Sequence, residues 1–394
     1  MKSIFSVLIG FLTITYANNG HATSLEPFMG SRAYALGGNA VGLADDIVSA
    51  LYYNPGGLNE IKGQKAAFLL FFIKNHSQYQ GKDQYQGYNE RSSRDAFLPF
   101  MGYSLNNGGN LALGLGVSST QGCGYEFIKD PAHGVMHDFK NSTGVMTVSP
   151  TVSYKFHPKL SVGAQANIGY AKSEIKMPTP AGYLKTDSDG FGYGGTIGLL
   201  YKPFSFLNVG LSWHSSMKTP LDGDVELYAS GGIENDSLDF DLYWPQKISF
   251  GICLKLKENL IIPVSLTWTD WTHFGKSKLK YEKLSQFNGL LLPELEDTFQ
   301  CGIGMEYHLK SWIDLRCGYA WHPHALKAKS VTPLLPEMAC HSIMMGLGIK
   351  LQRFQIDIGY GHAFSKKREI NEGLYPGTYT GDFPIGSIEI SYDF

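Results

Sequence analysis

Leu160–Ala171 (LSVGAQANIGYA) carries the pattern that decides the fold. Apolar residues and tyrosine occupy every second position of this stretch, and serine, glycine, glutamine and asparagine lie between them. Because successive side chains of a β-strand point to opposite faces, the pattern predicts a strand with one apolar and one polar face. A length of roughly ten residues suits a tilted strand that crosses a bilayer, whereas soluble strands average about five or six.

The same alternation recurs along the chain after residue 65. We identify about 14 strand units, a number that follows from the alternating pattern. They start near residues 66, 97, 110, 145, 160, 191, 206, 247, 260, 297, 311, 342, 353 and 385. Long connections, including 120–144, 173–190 and 230–246, alternate with short turns, as expected for outer loops and periplasmic turns. The predicted fold class is all-β: a transmembrane antiparallel β-barrel over residues 65–394.

Both ends of the chain indicate export to an outer membrane. Met1–Ala22 contains an early lysine, the apolar core Ile4–Thr15 and small residues before Ala22, which predicts a secretory signal peptide. Ile388–Phe394 alternates and ends in an aromatic residue, which resembles the signal that the barrel-assembly machinery reads. We therefore expect the mature chain in the outer membrane of a Gram-negative-type bacterium, with Phe394 contacting that machinery.

Composition excludes several classes of protein. The 394 residues carry a formal net charge of −2, so no basic surface for nucleic acid is indicated. The cysteines number five, and an odd number argues against a disulfide framework. They show no CxxC spacing, which argues against a zinc or redox site. His322-Pro323-His324 has no third ligand placed by spacing. We expect no metal, no cofactor and no enzymatic activity.

Residues 23–64 depart from the strand pattern. Ser31–Ala44 is small and glycine-rich, and Asn54-Pro55-Gly56-Gly57 follows it. Small residues allow close packing and Pro/Gly pairs allow sharp turns, so this segment is predicted to be a hatch that plugs the barrel lumen. The candidate hatch residues are Arg32, Gly37, Gly38, Asp46, Asn54, Pro55 and Gly56.

Several motifs in the same order resemble those of the FadL/TodX-type outer-membrane transport proteins. The hatch motif above resembles that family's amino terminus, which usually has Asn-Pro-Ala where this chain has Asn54-Pro55-Gly56. Trp213–Lys218, Trp268–Phe274 and Arg316–Ala320 resemble later strand motifs of the family. The resemblance implies a monomeric 14-stranded barrel closed by a hatch. It also implies ligand capture among the outer loops, a pocket against the hatch, lateral exit at a kinked strand and diffusion down a gradient.

Candidate ligand contacts follow from that resemblance and from residue chemistry. Apolar residues of the hatch and of the second strand are suited to a hydrophobic ligand, and cations are suited to a carboxylate head group. These candidates are Phe28, Met29, Leu36, Phe100, Arg316, Lys327 and Lys329. Arg316 is also expected to pair with Asp314 or Glu306. Pro99, Gly114 and Gly116 permit an interruption of the second and third strands.

The predicted function is passive uptake of hydrophobic small molecules, with long-chain fatty acids first and aromatic hydrocarbons second. The short loop 173–190 leaves the natural ligand open, because a fatty-acid capture groove depends on long loops in this region. Three alternatives remain at this point: a general porin, a structural or partner-binding barrel, and an outer-membrane lipid hydrolase using His214 and Ser216, which share a strand face.

Overall fold

The computed structural model describes residues 28–92, 94–179, 182–274, 280–285, 288 and 293–394. The predicted signal peptide, residues 1–22, lies outside these described residues. The strands are β1 (Gly63–Ile73), β2 (Gln78–Gly81), β3 (Asn89–Arg91), β4 (Ala96–Asn106), β5 (Leu111–Phe127), β6 (Phe139–His157), β7 (Leu160–Thr179), β8 (Gly182–Phe204), β9 (Leu207–His214), β10 (Met217–Ala229), β11 (Gly232–Trp244), β12 (Gln246–Leu256), β13 (Leu260–Asp270), β14 (Lys280–Tyr281), β15 (Thr298–Lys310), β16 (Ile313–His322), β17 (Cys340–Leu351), β18 (Phe354–Ser365), β19 (Arg368–Ile370), β20 (Gly377–Thr380) and β21 (Asp382–Asp393).

The long strands form a closed antiparallel barrel. Each barrel position pairs with the next barrel position along the chain. β21 closes the ring by pairing with β1 from Lys65↔Asp393 to Ile73↔Ile385. β9 and β10 form one interrupted barrel strand, because both pair with β8, and β11 with β12 forms the next. The described residues therefore give 14 barrel positions, which confirms the predicted fold class. No helix among them is long and apolar enough to cross a membrane.

Side chains alternate between the inside and the outside of the barrel as the pattern predicts. On β7, Ser161 and Gln165 point inward and are buried, whereas Ile168 points outward and is 41% exposed. Aromatic pairs mark the strand ends at the short turns, as in the stacked Phe204 and Phe206, whose ring centroids lie 5.3 Å apart. Such rings at the level of the lipid head groups form an aromatic girdle.

The strands are longer than predicted on the side of the long connections. Much of 120–144, 173–190 and 230–246 is strand rather than loop, because β5 to β8, β10 and β11 continue beyond the bilayer. The polarity of the two faces reverses there. On β7, Lys172 and Glu174 face outward while Ala171 and Met177 are buried inside. The outward face of these strand extensions meets water above the membrane and is polar. A prediction that requires apolar outward residues therefore ends each strand too early.

A small second sheet covers the same end of the barrel. Its order is β19-β20-β2-β3, so it joins the connection after β1 to the connection before β21. Tyr79 and Tyr379 stack in it with ring centroids 4.7 Å apart, and both are fully buried. They belong to one apolar cluster with Phe127, Phe139 and Met338. The cluster fixes the connections over the barrel opening.

Residues 28–62, which we call the inner segment, lie within the barrel. They comprise α1 (Ser31–Ala35), a π-helical turn (Ser49–Tyr53) and a 3-10 helix (Pro55–Glu60). α1 contacts β16, β17, β18 and β21, and the 3-10 helix contacts β5 to β8, so opposite walls are touched. Glycines in the wall permit the inner segment to lie this close to the strands. A side chain at Gly251 would collide with it, because its Cβ would lie only 2.9 Å from the Gly42 backbone nitrogen.

Candidate functional site

An ionic network ties the inner segment to the barrel wall. Arg32 on α1 donates two hydrogen bonds to Glu306 on β15, each of 2.7 Å, and its Nη1 lies 2.6 Å from Asp45 and 3.3 Å from Asp46. Arg316 on β16 donates to the same Glu306 at 2.6 Å. Glu306 is fully buried, so its charge depends on the two guanidinium groups.

The Asn54-Pro55-Gly56 motif is a second attachment point. The Asn54 side chain donates to the carbonyl oxygens of Val41 (2.7 Å) and Leu199 (2.9 Å) and accepts from the Gly56 N–H (3.0 Å). It thereby caps the 3-10 helix and joins it to β8. Asn54 is fully buried, and neither it nor its two successors lines any of the three cavities described below. The motif positions the inner segment.

Gly37 and Gly38 allow the chain to turn where it meets the wall. Both have a φ of +75°, which glycine adopts without a steric cost. A Cβ at Gly37 would lie 2.6 Å from the Tyr319 carbonyl oxygen, and one at Gly38 would lie 2.1 Å from the Phe28 ring. The second glycine therefore leaves the space that the Phe28 ring occupies.

A cavity of about 390 Å³, which we call the outer cavity, opens among the extended strands and outer connections. Its apolar walls include Met177, Phe240, Leu242, Leu334 and Leu335. An apolar cavity of about 150 Å³ is enough for one benzene molecule. The outer cavity can therefore receive a monoaromatic molecule or an alkyl chain.

Two smaller cavities lie deeper in the barrel. The inner pocket, of about 70 Å³, is lined by residues that include Phe28, Tyr34, Trp271, His322 and Glu337. The middle cavity, of about 130 Å³, is more polar. Its lining includes Tyr52, Tyr53, Ser118, Gln121, Thr147, Gln165 and Lys247.

Two aromatic side chains connect these three spaces. Phe28 lines both the inner pocket and the middle cavity, and its ring lies 4.8 Å from the His322 ring between centroids. Trp244 lines both the middle cavity and the outer cavity. Each of these two residues therefore contributes to the walls of two spaces.

The wall is interrupted beside the middle cavity. Among the described residues, β4 pairs with β5 only from Phe100↔Ser118 to Leu105↔Leu113, and the register of β5 then shifts between Ser119 and Gln121. Beyond that point β4 and β5 no longer pair with each other. β5 remains paired with β6 on its other side, and β4 remains paired with β1 up to Ala96. Ser118 and Gln121 line the middle cavity, so this cavity reaches the gap.

The connection between β1 and β4 crosses the outer part of the gap. The Asn75 side chain donates to the Gly124 carbonyl oxygen (3.2 Å), and the Glu126 N–H donates to Ser92 (3.1 Å). Gly114 and Gly116, which the sequence suggested as kink positions, instead face Leu51 of the inner segment. The irregularity lies a few residues farther along β5.

The cations selected from the sequence have carboxylate partners. Lys329 lines the outer cavity, but its Nζ lies 2.5 Å from Glu294, and Lys327 lies 3.5 Å from the same carboxylate. Arg316 has no exposed side-chain surface and pairs with Glu306, Asp357 and Asp314. Ligand contact by these three residues stays a prediction.

The apolar candidates occupy different environments. Phe28 lines two cavities, as described above. Met29 and Leu36 are fully buried, and Phe100 is 1% exposed in a cluster with Leu51. None of Met29, Leu36 and Phe100 lines any of these three cavities. Their positions are those of packing residues between the inner segment and the wall.

Sequence reasoning missed most of the cavity lining. Trp271 lay inside a quoted family motif and His322 inside a rejected metal motif, so a signal existed for both. Glu337, Leu334 and Leu335 lie in the connection before β17, which has no periodic pattern. The prediction that 173–190 is a short loop concealed the contributions of Ile175 and Met177 to the outer cavity.

Comparison with known proteins identifies the family. The model of the outer membrane protein transport protein family (OMPP1/FadL/TodX) matches residues 28–394. The chain belongs to this family. It is therefore an outer-membrane transport protein, as predicted, and not an enzyme, which removes the hydrolase alternative based on His214 and Ser216.

Individual relatives and structures agree with this assignment. The chain is 21% identical over 333 residues to a putative outer membrane protein of Neisseria meningitidis serogroup B, covering 69% of this chain and 71% of that protein. It is 21% identical over 335 residues to a long-chain fatty acid transport protein of Escherichia coli O6:H1, covering 72% and 73%.

Solved structures share the fold. A FadL homologue from Pseudomonas aeruginosa has a TM-score of 0.82 at 18% identity, covering 95% of this chain and all of that one (100%). The toluene transporter TodX from P. putida has a TM-score of 0.75 at 15% identity, covering 94% and 99%.

Proposed function

We propose that this protein is a passive channel for hydrophobic small molecules. The outer cavity is the observation that carries the proposal, because its apolar walls and its volume of about 390 Å³ suit a lipophilic guest. A ligand that removes about 200 Å² of apolar surface from water gains roughly 5 kcal/mol, before the cost of association. That affinity is modest enough for release, which any conducting path requires.

The proposed path runs from the outer cavity past Trp244 to the middle cavity, reaches the inner pocket past Phe28, and leaves the middle cavity sideways through the gap between β4 and β5. Trp244 and Phe28 support this order, because Trp244 lines both the outer and the middle cavity and Phe28 lines both the middle cavity and the inner pocket. Sideways exit delivers a lipophile into the bilayer rather than into water. The step needs neither a cofactor nor an energy source when the ligand moves down its gradient.

We further propose that residues 23–64 act as the hatch and that residues 65–394 form the channel wall. The contacts of the inner segment with opposite walls support this division. They also weigh against the general porin, which needs an open polar lumen. Transport as a monomer and assembly through Phe394, which is 64% exposed, remain predictions.

Long-chain fatty acids and aromatic hydrocarbons are the two ligand classes considered from the sequence. The Escherichia coli relative is named for the first class and the P. putida structure for a member of the second. The outer cavity suits both, since its lining is largely apolar and carries the ion pair of Lys329 and Glu294 at one side.

A charge placed in the outer cavity tests the proposal. Leu335→Glu puts a carboxylate into the apolar wall, and we expect uptake of labelled toluene to fall to about a tenth, because burial of that charge disfavours the filled cavity. Ile128→Glu makes the same change on an outer connection, at a side chain that is 55% exposed, and serves as the matched control. Equal uptake by both variants at equal barrel levels would contradict the proposed path.

A further inference from the structure

The inner pocket has an unusual charge composition for a site that would receive a fatty acid. Its described lining contains one carboxyl, Glu337, and one imidazole, His322, and no lysine or arginine. The remaining surface is largely that of aromatic rings, methionines and aliphatic side chains, including Phe28, Trp271 and Met338. When Glu337 is ionised, a carboxylate ligand would therefore find a like charge in this pocket and no lysine or arginine in its described lining.

The Glu337 carboxyl is held in place by the connection between β16 and β17. Its Oε2 accepts hydrogen bonds from the N–H groups of Ala325 (2.8 Å) and Leu326 (2.6 Å). Both of these bonds end on Oε2, none among the described residues ends on the other oxygen, Oε1, and Glu337 is one of the residues that line the pocket. One oxygen is thus occupied by the backbone and the other is available to a ligand.

Arg368 is a cation close to Glu337, but it makes no hydrogen bond to the carboxyl. Arg368 on β19 donates to the backbone carbonyl oxygens of Leu326 and of Glu337 itself, the latter at 2.9 Å, rather than to the carboxylate. Burial raises the pKa of Glu337 from 4.5 to about 7, and the two N–H groups and Arg368 oppose that rise. The group is therefore mostly ionised only above neutral pH.

We propose that Glu337 is a specificity-determining residue of the inner pocket, which receives one end of an uncharged lipophile, while the rest of the ligand lies in the adjoining middle cavity, and disfavours an end that carries a carboxylate. The proposal rests on the proposed uptake function and selects the second of the two ligand classes, neutral hydrocarbons, together with neutral polar lipophiles. A hydroxyl group can donate to Oε1, whereas a carboxylate there would be desolvated beside a like charge. The outer cavity admits both classes, so selection takes place at the second site.

A matched pair of ligands tests this proposal. 1-Dodecanol and dodecanoate have the same chain length and differ at the head group. Their initial uptake is measured at pH 8 in cells that lack their own transporter, with uptake by cells without the protein subtracted. In the wild type we expect dodecanol uptake to exceed dodecanoate uptake at least about tenfold, and unlabelled dodecanoate to compete poorly with dodecanol.

Substitution of the carboxyl supplies the second arm. Glu337→Gln keeps an oxygen that accepts from Ala325 and Leu326, so the connection retains its hydrogen bonds. We expect dodecanoate uptake to rise about tenfold and dodecanol uptake to change less than about twofold. Glu369→Gln is the control, since that carboxylate lies on β19, is exposed and pairs with Lys367 at 2.7 Å.

The outcomes distinguish failure of the role of Glu337 from failure of the channel function. Equal uptake of both ligands by the wild type, with effective competition by dodecanoate, would overturn the role of Glu337 and leave the channel function standing. Dodecanoate uptake unchanged in Glu337→Gln, with dodecanol uptake intact, would overturn it as well. Uptake of neither ligand by a heat-modifiable, correctly inserted barrel would instead refute the channel function, and the selectivity with it.

Discussion

Replacing Arg32 with methionine should release the inner segment from the wall while leaving the barrel intact. The guanidinium of Arg32 bonds Glu306 twice, each time at 2.7 Å, and also contacts Asp45 and Asp46. Methionine preserves much of the side-chain volume and removes the charge. Asp45 and Asp46 would then face one another without their cation, whereas Glu306 would keep Arg316.

The magnitude follows from the burial of these groups. Removing one partner of a buried ion pair costs about 3–5 kcal/mol. Because Glu306 keeps a partner and Asp45 and Asp46 are 28% and 21% exposed, we expect the lower end of this range. A cost of about 3 kcal/mol raises the equilibrium constant for release of the segment by a factor of roughly 100 to 200.

Two assays read this release. Hydrogen exchange at the α1 amides should accelerate by that factor, and single-channel recordings in planar bilayers should show openings more often than in the wild type. Arg32→Lys retains the charge, and its exchange rate and opening frequency should lie between those of the wild type and of Arg32→Met. Combining Arg32→Met with Asp45→Asn and Asp46→Asn removes the carboxylates that have lost their cation. This variant should recover part of the wild-type protection of the α1 amides from hydrogen exchange. Wild-type exchange and conductance in Arg32→Met would refute the anchoring role of the network.

Three further predictions concern the cavities and their supports. Phe28→Ala should join the inner pocket to the middle cavity and raise uptake of ligands bulkier than toluene by several-fold; unchanged uptake rates would count against Phe28 as a shared wall. Asn54→Ala removes the side-chain hydrogen bonds to the carbonyl oxygens of Val41 and Leu199, at about 0.5–1.5 kcal/mol each, so hydrogen exchange at Gly57 and Leu58 should accelerate. Asn59→Ala, which removes one side-chain donor bond to Ser153, should have a smaller effect; equal effects would contradict the special role of Asn54. The fold raises the pKa of Glu337, so the stability that this group contributes is complete below about pH 4.5 and is lost as the pH rises through about 7. The protease resistance of the connection 323–339 should therefore fall between these two pH values in the wild type. It should stay level in Glu337→Gln.

The membrane-spanning part of the fold was predictable because the bilayer imposes a simple rule. Outward residues must be apolar and inward residues may be polar, so Leu160–Ala171 identifies its strand without any tertiary information. The same rule fails for the outer half of β7, where Lys172 and Glu174 face water. The inner segment was recognisable because close packing against a wall demands glycine and small residues, as at Gly37 and Gly42.

The candidate site was less predictable, for a physical reason. Phe28, Trp271, His322 and Glu337 come from four different parts of the chain and meet only after the barrel closes. A sequence pattern also does not separate a side chain that packs from one that lines a cavity. Leu36 and Phe28 are both apolar residues of the inner segment, yet Leu36 packs with Leu43 while Phe28 borders two cavities.

The central claim is that the barrel conducts hydrophobic small molecules, and the most direct measurement is the initial rate of labelled toluene uptake by cells lacking their own transporter, with and without this protein. We expect uptake above background that increases with the amount of inserted barrel and needs no energy source. No increase over background, with heat-modifiable barrel present in the outer membrane and high conductance for ions and sugars in planar bilayers, would contradict the account and indicate a general porin.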